Sequence, residues 1–189
     1  ISETQETGSG GEKQSIGTNG ISLLTGKIDY NNQLSDDWKV SLGAKYYGIS
    51  NSSDLLFQEL SGANWVNDTS LTTGFNFAEG VGAAYIQTVY AKDKINARFG
   101  LRGERTQTSG ASSLTNSSVI DTSYYNLFPS AYFGYDLSKD LVLGLNYVTR
   151  FNRPRFQDLN PFIEYVDSVT AFIGNPLLVP EYSHSARAS

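Results

Sequence analysis

YYNLFPSAYFGYDLSKDLVLGLNYVTR, residues Tyr124 to Arg150, decides how this chain is read. Two runs of strict two-residue alternation flank a polar turn at Ser138-Lys139-Asp140. In the second run Leu141, Leu143, Leu145 and Tyr147 share one face, and Val142, Gly144, Asn146, Val148 and Arg150 the other. In the first run Leu127, Ala131, Phe133, Tyr135 and Leu137 oppose Asn126, Ser130, Tyr132 and Asp136. A period of two means strand, and so short a turn means an antiparallel hairpin. The apolar face carries no charge, so it must be hidden in a protein core or in lipid.

Outward from this hairpin the same pattern recurs. Ile21 to Tyr30 reads as a first strand, with Leu24, Gly26, Ile28 and Tyr30 on one face. Trp38 to Gly48 reads as a second, with Trp38, Val40, Leu42, Ala44 and Tyr46 opposite Lys39, Ser41, Gly43 and Lys45. Val81 to Tyr90 reads as a third, whose faces do not rank by composition. Ile95 to Thr106 is a fourth, with Ile95, Ala97, Phe99, Leu101 and Gly103 opposite Asn96, Arg98, Gly100, Arg102 and Glu104. Residues 1–20 are polar and rich in Gly, Ser and Thr, and read as a solvated loop or frayed end. Residues 51–77 and 108–122 read as long polar loops, with an island at Leu55-Leu56-Phe57 that is either a helical turn or a capping patch. Residues after Arg150 read as a third long irregular segment, to about Pro180.

Short turns thus follow the first, third and fifth strands, and long loops the second, fourth and sixth. In an up-and-down meander the turns gather at one end and the loops at the other, the asymmetry of a transmembrane β-barrel. A soluble sandwich would show the same alternation, with its charged face simply wet. Three features favour lipid. Leu141 to Arg150 is about 10 residues, which at ~3.3 Å each and a ~40° tilt rises about 25 Å, the height of a lipid-facing band. Tyr30, Trp38, Tyr90 and Tyr135 lie beside the turns, and Tyr46, Tyr125 and Tyr147 near the loop ends, as two interfacial belts require. No amphipathic helix or second set of strands is evident to cover the apolar face. Pro129 cuts across the fifth run, since it cannot donate to a ladder, and calls for a bulge or strand edge.

Composition narrows the classes. The 189 residues carry 14 Lys plus Arg and 19 Asp plus Glu, a formal net charge of -5, which opposes a general nucleic-acid binder. Charged residues are 17%, below the roughly 25% of soluble domains, and aromatics are 13%. Cysteine is absent, which leaves the compartment open. No run of about 18 apolar residues exists to form a membrane helix. The single histidine, His184, the lack of cysteine and the absence of triad or metal-ligand spacing argue against an enzyme, a cofactor or a metal site.

The last third adds specific pieces: Arg153-Pro154, Asp158-Leu159-Asn160-Pro161-Phe162, Gly174-Asn175-Pro176-Leu177 and Pro180-Glu181-Tyr182. With Ala83-Ala84-Tyr85, Gly100-Leu101-Arg102-Gly103-Glu104 and Tyr125-Asn126-Leu127-Phe128-Pro129-Ser130, they resemble the barrel of TonB-dependent outer-membrane receptors, in its outer-membrane β-barrel branch. The resemblance runs from Ile21 onward, and its most specific part is the Gly-Asn-Pro and Pro-Glu pair. It implies an all-β fold: an antiparallel up-and-down transmembrane β-barrel segment, six strands and a seventh starting near Tyr182, within a wall of about 22 strands. Residues 21–189 are then part of that barrel in the outer membrane of a Gram-negative bacterium, with the plug domain elsewhere.

It also implies uptake of a scarce nutrient: a small-molecule or oligosaccharide substrate on loops and plug, with force from the TonB complex. Implied partners are membrane lipid, the plug and the remaining strands. Passive porin and surface glycan-binding sandwich stand as alternatives. On physical grounds Pro154, Pro161, Pro176 and Pro180 stiffen the last segment, and Gly174 allows a tight bend. Candidate substrate contacts in loop and lumen are Arg150, Arg153, Arg155, Asp158, Asn160 and Trp65. The arginines either contact ligand or brace the loop through Asp158, Glu164 or Asp167.

Overall fold

The computed structural model describes residues 2–8, 11–115, 117–165 and 169–189. In chain order the elements are β1 (Ser2–Gly8), β2 (Gly11–Gln33), β3 (Trp38–Ser61), β4 (Asn64–Asn67), β5 (Thr73–Lys92), β6 (Ile95–Ser112), β7 (Ser118–Ser138) and β8 (Leu141–Asn152). They are followed by α1 (Phe156–Leu159), β9 (Glu164–Tyr165), β10 (Ala171–Phe172) and β11 (Glu181–Ala188). One antiparallel sheet runs β1-β2-β3-β5-β6-β7-β8-β11, with β4 hung on β3 and β9 paired with β10 alone. Every long strand lies beside its sequence neighbour, an up-and-down meander whose described edges, β1 and β11, do not meet. The seventh strand expected near Tyr182 is β11.

The register makes the expected faces continuous. Tyr30 pairs with Leu42 and Ile28 with Ala44 across β2 and β3. Trp38 pairs with Tyr90 and Leu42 with Ile86 across β3 and β5. Ile86 then pairs with Leu101 in β6, and Ala97 with Phe133 in β7. The faces of β5 that composition left unranked are settled by this pairing, with Ala84, Ile86, Thr88 and Tyr90 on the apolar side. Ile28 is 72% exposed, Phe99 53% and Leu145 50%, so no second layer among the described residues covers this face. A sandwich would have buried it. Trp38 and Tyr90 meet at 4.8 Å between ring centroids beside the turns, the lower aromatic belt in contact across strands.

The loop expectations fail in one consistent way. Of the expected loop or frayed end at 1–20, residues 2–8 are β1 and 11–20 are the first half of β2. β3 continues to Ser61 and β5 begins at Thr73, so most of the expected 51–77 loop is sheet. Leu55, Leu56 and Phe57 lie in β3, neither helical turn nor cap. β6 and β7 likewise consume most of 108–122. A 24-residue strand at ~3.3 Å per residue and ~40° tilt rises about 60 Å, more than twice the lipid band. The upper halves therefore stand in water, where neither face needs to be apolar. Pro129 sits one residue past Ser130↔Val148, where the β7–β8 ladder ends, so it lies where β7 has lost that neighbour.

The apolar core lies on the opposite, polar face, near the loop end. Phe75, Phe77, Ile120 and Leu159 are buried there, packed against Ile49, Val119, Phe156 and Phe162. The residues from α1 onward fold back over the inner wall to make it.

Candidate substrate-facing surface

Two transverse rows of side chains organise the inner face at mid-height. The lower row is Asp29, Gly43, Tyr85, Arg102 and Phe128, each in register with the next. The upper row is Lys27, Lys45, Ala83, Glu104 and Asn126. Gly43 leaves room for the Tyr85 ring, since a Cβ there would clash with its hydroxyl end. The ring lies across the glycine and its hydroxyl donates to Asp29, which Lys27 also meets at 2.8 Å. The Arg102 guanidinium stands 5.4 Å from the centre of the same ring. Arg102 Nε then donates to Glu104 at 2.6 Å, linking the two rows.

A Gly43→Val substitution therefore overpacks the row. It should cost about 1–3 kcal/mol in urea unfolding from vesicles. Most of that loss should vanish in the Gly43→Val, Tyr85→Ala double variant, because the clash needs both side chains.

Glu104 is the hub of this surface. Its side chain is 9% exposed and accepts from Arg102 on one oxygen and from Arg153 Nη2, at 2.5 Å, on the other. Arg153 also donates to Thr106 at 3.3 Å and lies 4.7 Å from the centre of the Phe151 ring. Phe151 contacts Tyr182 at 4.8 Å, and the Tyr182 hydroxyl donates to Asn126. Strict alternation from Tyr147 would put Phe151 on the outer face. It instead meets Phe128 and Tyr124 of the inner face, in the part of β8 beyond Val148 that has left β7 and pairs with β11 alone. Asn126 Nδ2 and Arg153 Nε are buried without a partner among the described residues. Both are donors, so an acceptor-rich group, from a solute or from the rest of the protein, suits this place.

Arg153 is the first residue of a strap between β8 and β11, described over 153–165 and 169–180, that crosses this surface. Arg155 Nε and Nη2 donate to the two Asp158 oxygens at 3.0 Å each, and the Arg155 backbone N–H adds a third bond to Oδ2. Asn160 Oδ1 accepts from the Phe162 N–H at 3.1 Å. The Gly174 N–H donates to the Asn160 carbonyl and the Asn175 N–H to the Asp158 carbonyl, both at 2.7 Å. Asn175 Oδ1 accepts from the Leu177 N–H at 2.9 Å. Gly174 is needed for close approach and not for the expected tight bend: a Cβ would stand 2.6 Å from the carbonyl oxygens of Gln157, Asp158 and Asn160. The Gly-Asn-Pro element is thus a backbone clasp onto α1, and Pro180 leads directly into β11 at Glu181.

The side-chain hydrogen bond from Arg155, followed by that from its backbone N–H, holds the Asp158 carboxyl below the usual carboxylate range. The pair therefore contributes fully above about pH 3.9, the ordinary value, and is lost as pH falls through the lowered one. Protease cutting of the strap should rise on acidification in that window. An Asp158→Asn variant should be cut at the higher rate at every pH.

The expected substrate residues do not form one site. Arg153 reaches the inner wall, but its acid is Glu104 of β6 and not a loop carboxylate. Arg155 and Asp158 pair with each other, with Arg155 77% exposed, and Asn160 serves the strap backbone. Asp167 lies outside the described residues, and Glu164 begins β9. Arg150 is exposed, opposite Ser183, and makes no ion pair among the described residues. Trp65 pairs with Leu60 in the β3–β4 hairpin. Leu60 lies far along β3 beyond Lys45, which is in the Glu104 row, so Trp65 stands at the far tip. Sequence reasoning missed Glu104, Tyr85, Asn126 and Tyr182. The alternation had placed Glu104 on the inner face beside Arg102, and that was the available signal.

The model for the outer membrane protein beta-barrel family matches residues 2–189. Among solved structures, the unliganded ferric citrate transporter FecA is similar in fold, with a TM-score of 0.56 and 14% identity. The match covers 79% of this chain and 23% of that one. No curated protein matches the chain.

Proposed function

The chain belongs to the outer membrane protein beta-barrel family, a wall of outer-membrane barrel, and on that premise we propose that it serves a TonB-dependent receptor that imports a scarce nutrient. The observation that carries this is the strap held on the inner wall by Arg153 and Glu104. Such a strap narrows the water-filled side and presents donors to a solute, as selective binding needs and free diffusion does not. In this reading the outer face meets membrane lipid. The inner face meets a plug and the remaining strands close the ring, both supplied by the full protein. Force on the plug comes from the TonB complex. No catalytic step is assigned to any residue.

Passive diffusion is the competing reading, and energy dependence separates the two. Cells expressing the full protein are given labelled ferric chelates, cobalamin, oligosaccharides or peptides, with and without a collapsed proton gradient. Uptake of one class should cease on collapse. Uptake of all of them that continues unchanged means a porin.

A further inference from the structure

The outer face has one departure from its chemistry. Between the row of Trp38 and Tyr90 and the row of Tyr46, its outward positions on β2, β3, β5, β6 and β7 carry a single charged side chain among the described residues, Arg105. Arg105 is in register with Gly82 on one side and Tyr125 on the other, and Gly82 with Tyr46. Its neighbours Glu104 and Thr106 point to the inner face, where Arg153 binds both. Arg105 is exposed, and its guanidinium stands 5.8 Å from the centre of the Tyr125 ring, itself 76% exposed.

Its height matters. Ile95 to Arg105 is about 10 residues of tilted strand, about 25 Å, which puts Arg105 at the upper rim of the lipid band and level with the upper aromatic belt. A Cβ at Gly82 would meet nothing within 4 Å, so a notch opens between Tyr46 and Arg105. With strands ~4.8 Å apart, that notch is about 10 Å wide, the scale of a lipid headgroup.

We propose that Arg105, with Tyr125 and Tyr46, holds the net-anionic, phosphate-bearing headgroup of an outer-leaflet lipid against the wall. A guanidinium matches a phosphate with paired donors, and the adjacent tyrosine face and hydroxyls suit the interface. Acyl chains then lie over Gly103 and Leu101 below. This role is independent of nutrient import.

The test uses the full-length protein in a zwitterionic detergent, with lipid retention read by native mass spectrometry. Probes are short-chain phosphatidylglycerol, short-chain phosphatidylcholine and inorganic phosphate. Phosphatidylglycerol should be retained over phosphatidylcholine, and inorganic phosphate should not be retained. Arg105→Gln should lower phosphatidylglycerol retention roughly fivefold, and Arg105→Lys should keep part of it. Equal retention by wild type and Arg105→Gln overturns the proposal, leaving Arg105 as a solvated side chain at the rim. Inorganic phosphate held as well as the lipid also overturns it. Should Arg105→Gln not fold, Tyr125→Leu decides: retention should fall, and an unchanged value counts against the site.

Discussion

Leu42→Arg should cost about 2–4 kcal/mol of unfolding free energy, while Ser41→Arg one residue away should stay within about 0.5 kcal/mol. Both substitutions add the same charge to the same strand. Leu42 stands midway between the belts marked by Trp38 and Tyr46, in register with Ile86, and is 43% exposed on the outer face. A guanidinium there must enter hydrocarbon or distort the bilayer to escape it. Ser41 is in register with Asn31 and Gln87 on the inner face, where a further cation meets water. Urea titration of the protein in phosphatidylcholine vesicles, read by intrinsic fluorescence, measures both. If Ser41→Arg were the damaging change, the two faces would have been assigned the wrong way round. If the two were equally mild, the apolar side would not be in lipid.

The same contrast explains which parts of the fold could be read from the residues. Alternation is a signature of asymmetry between two solvents. From Trp38 to Tyr46 one side of β3 faces hydrocarbon and the other water, so every second residue is constrained and the strand is legible. From Gly48 to Ser61 neither side faces hydrocarbon tails, and the run ISNSSDLLFQELS carries Ser and Asp on the outer face where an apolar residue would otherwise stand. The backbone pairing continues unbroken through it, Ser52 with Asn76 and Leu55 with Thr73. Nothing in side-chain chemistry announces that. Polar composition was taken for loop, when it meant only that the sheet had left the membrane.

The site was half legible for a related reason. The bond between Arg153 and Glu104 spans 49 residues of chain, and local search offered Asp158, Glu164 and Asp167 first. Alternation had already set Glu104 on the inner wall. Its partner could not be named without the path of the strap. Gly174 reads from the sequence as the residue of a tight bend, and the structure gives it a different part, close approach to backbone oxygens. A turn glycine is recognised by the chain around it, whereas this one is fixed by three carbonyl oxygens some 15 residues earlier.

Phe75→Ala should be the most damaging change on the inner face, about 3–5 kcal/mol against less than about 1.5 kcal/mol for Phe75→Leu. Phe75 is 1% exposed and lies where strap and wall meet. Its ring stacks on Phe156 at 5.5 Å and meets Phe162 edge-on at 6.0 Å, in the cluster that also buries Leu159. Truncation to Ala removes the central part of the surface on which α1 rests, and the strap keeps Arg153, its two ends and the contact of Phe156 with Phe77 at 5.7 Å. The loss should therefore appear first as release of the strap and only then as weakening of the wall. Limited proteolysis of the vesicle-bound protein reads the first, with cuts expected within 153–180 under conditions that leave wild type whole. Urea unfolding reads the second. Gly174→Ala separates clasp from anchor: it leaves Phe75 intact but drives a methyl into backbone oxygens that cannot move aside, so it should release Gly174 to Pro180 while α1 stays docked. A Phe75→Ala protein as protected as wild type would mean that the strap does not depend on the Phe75 ring, and that Glu104 and the contact of Phe156 with Phe77 suffice to hold it on the wall.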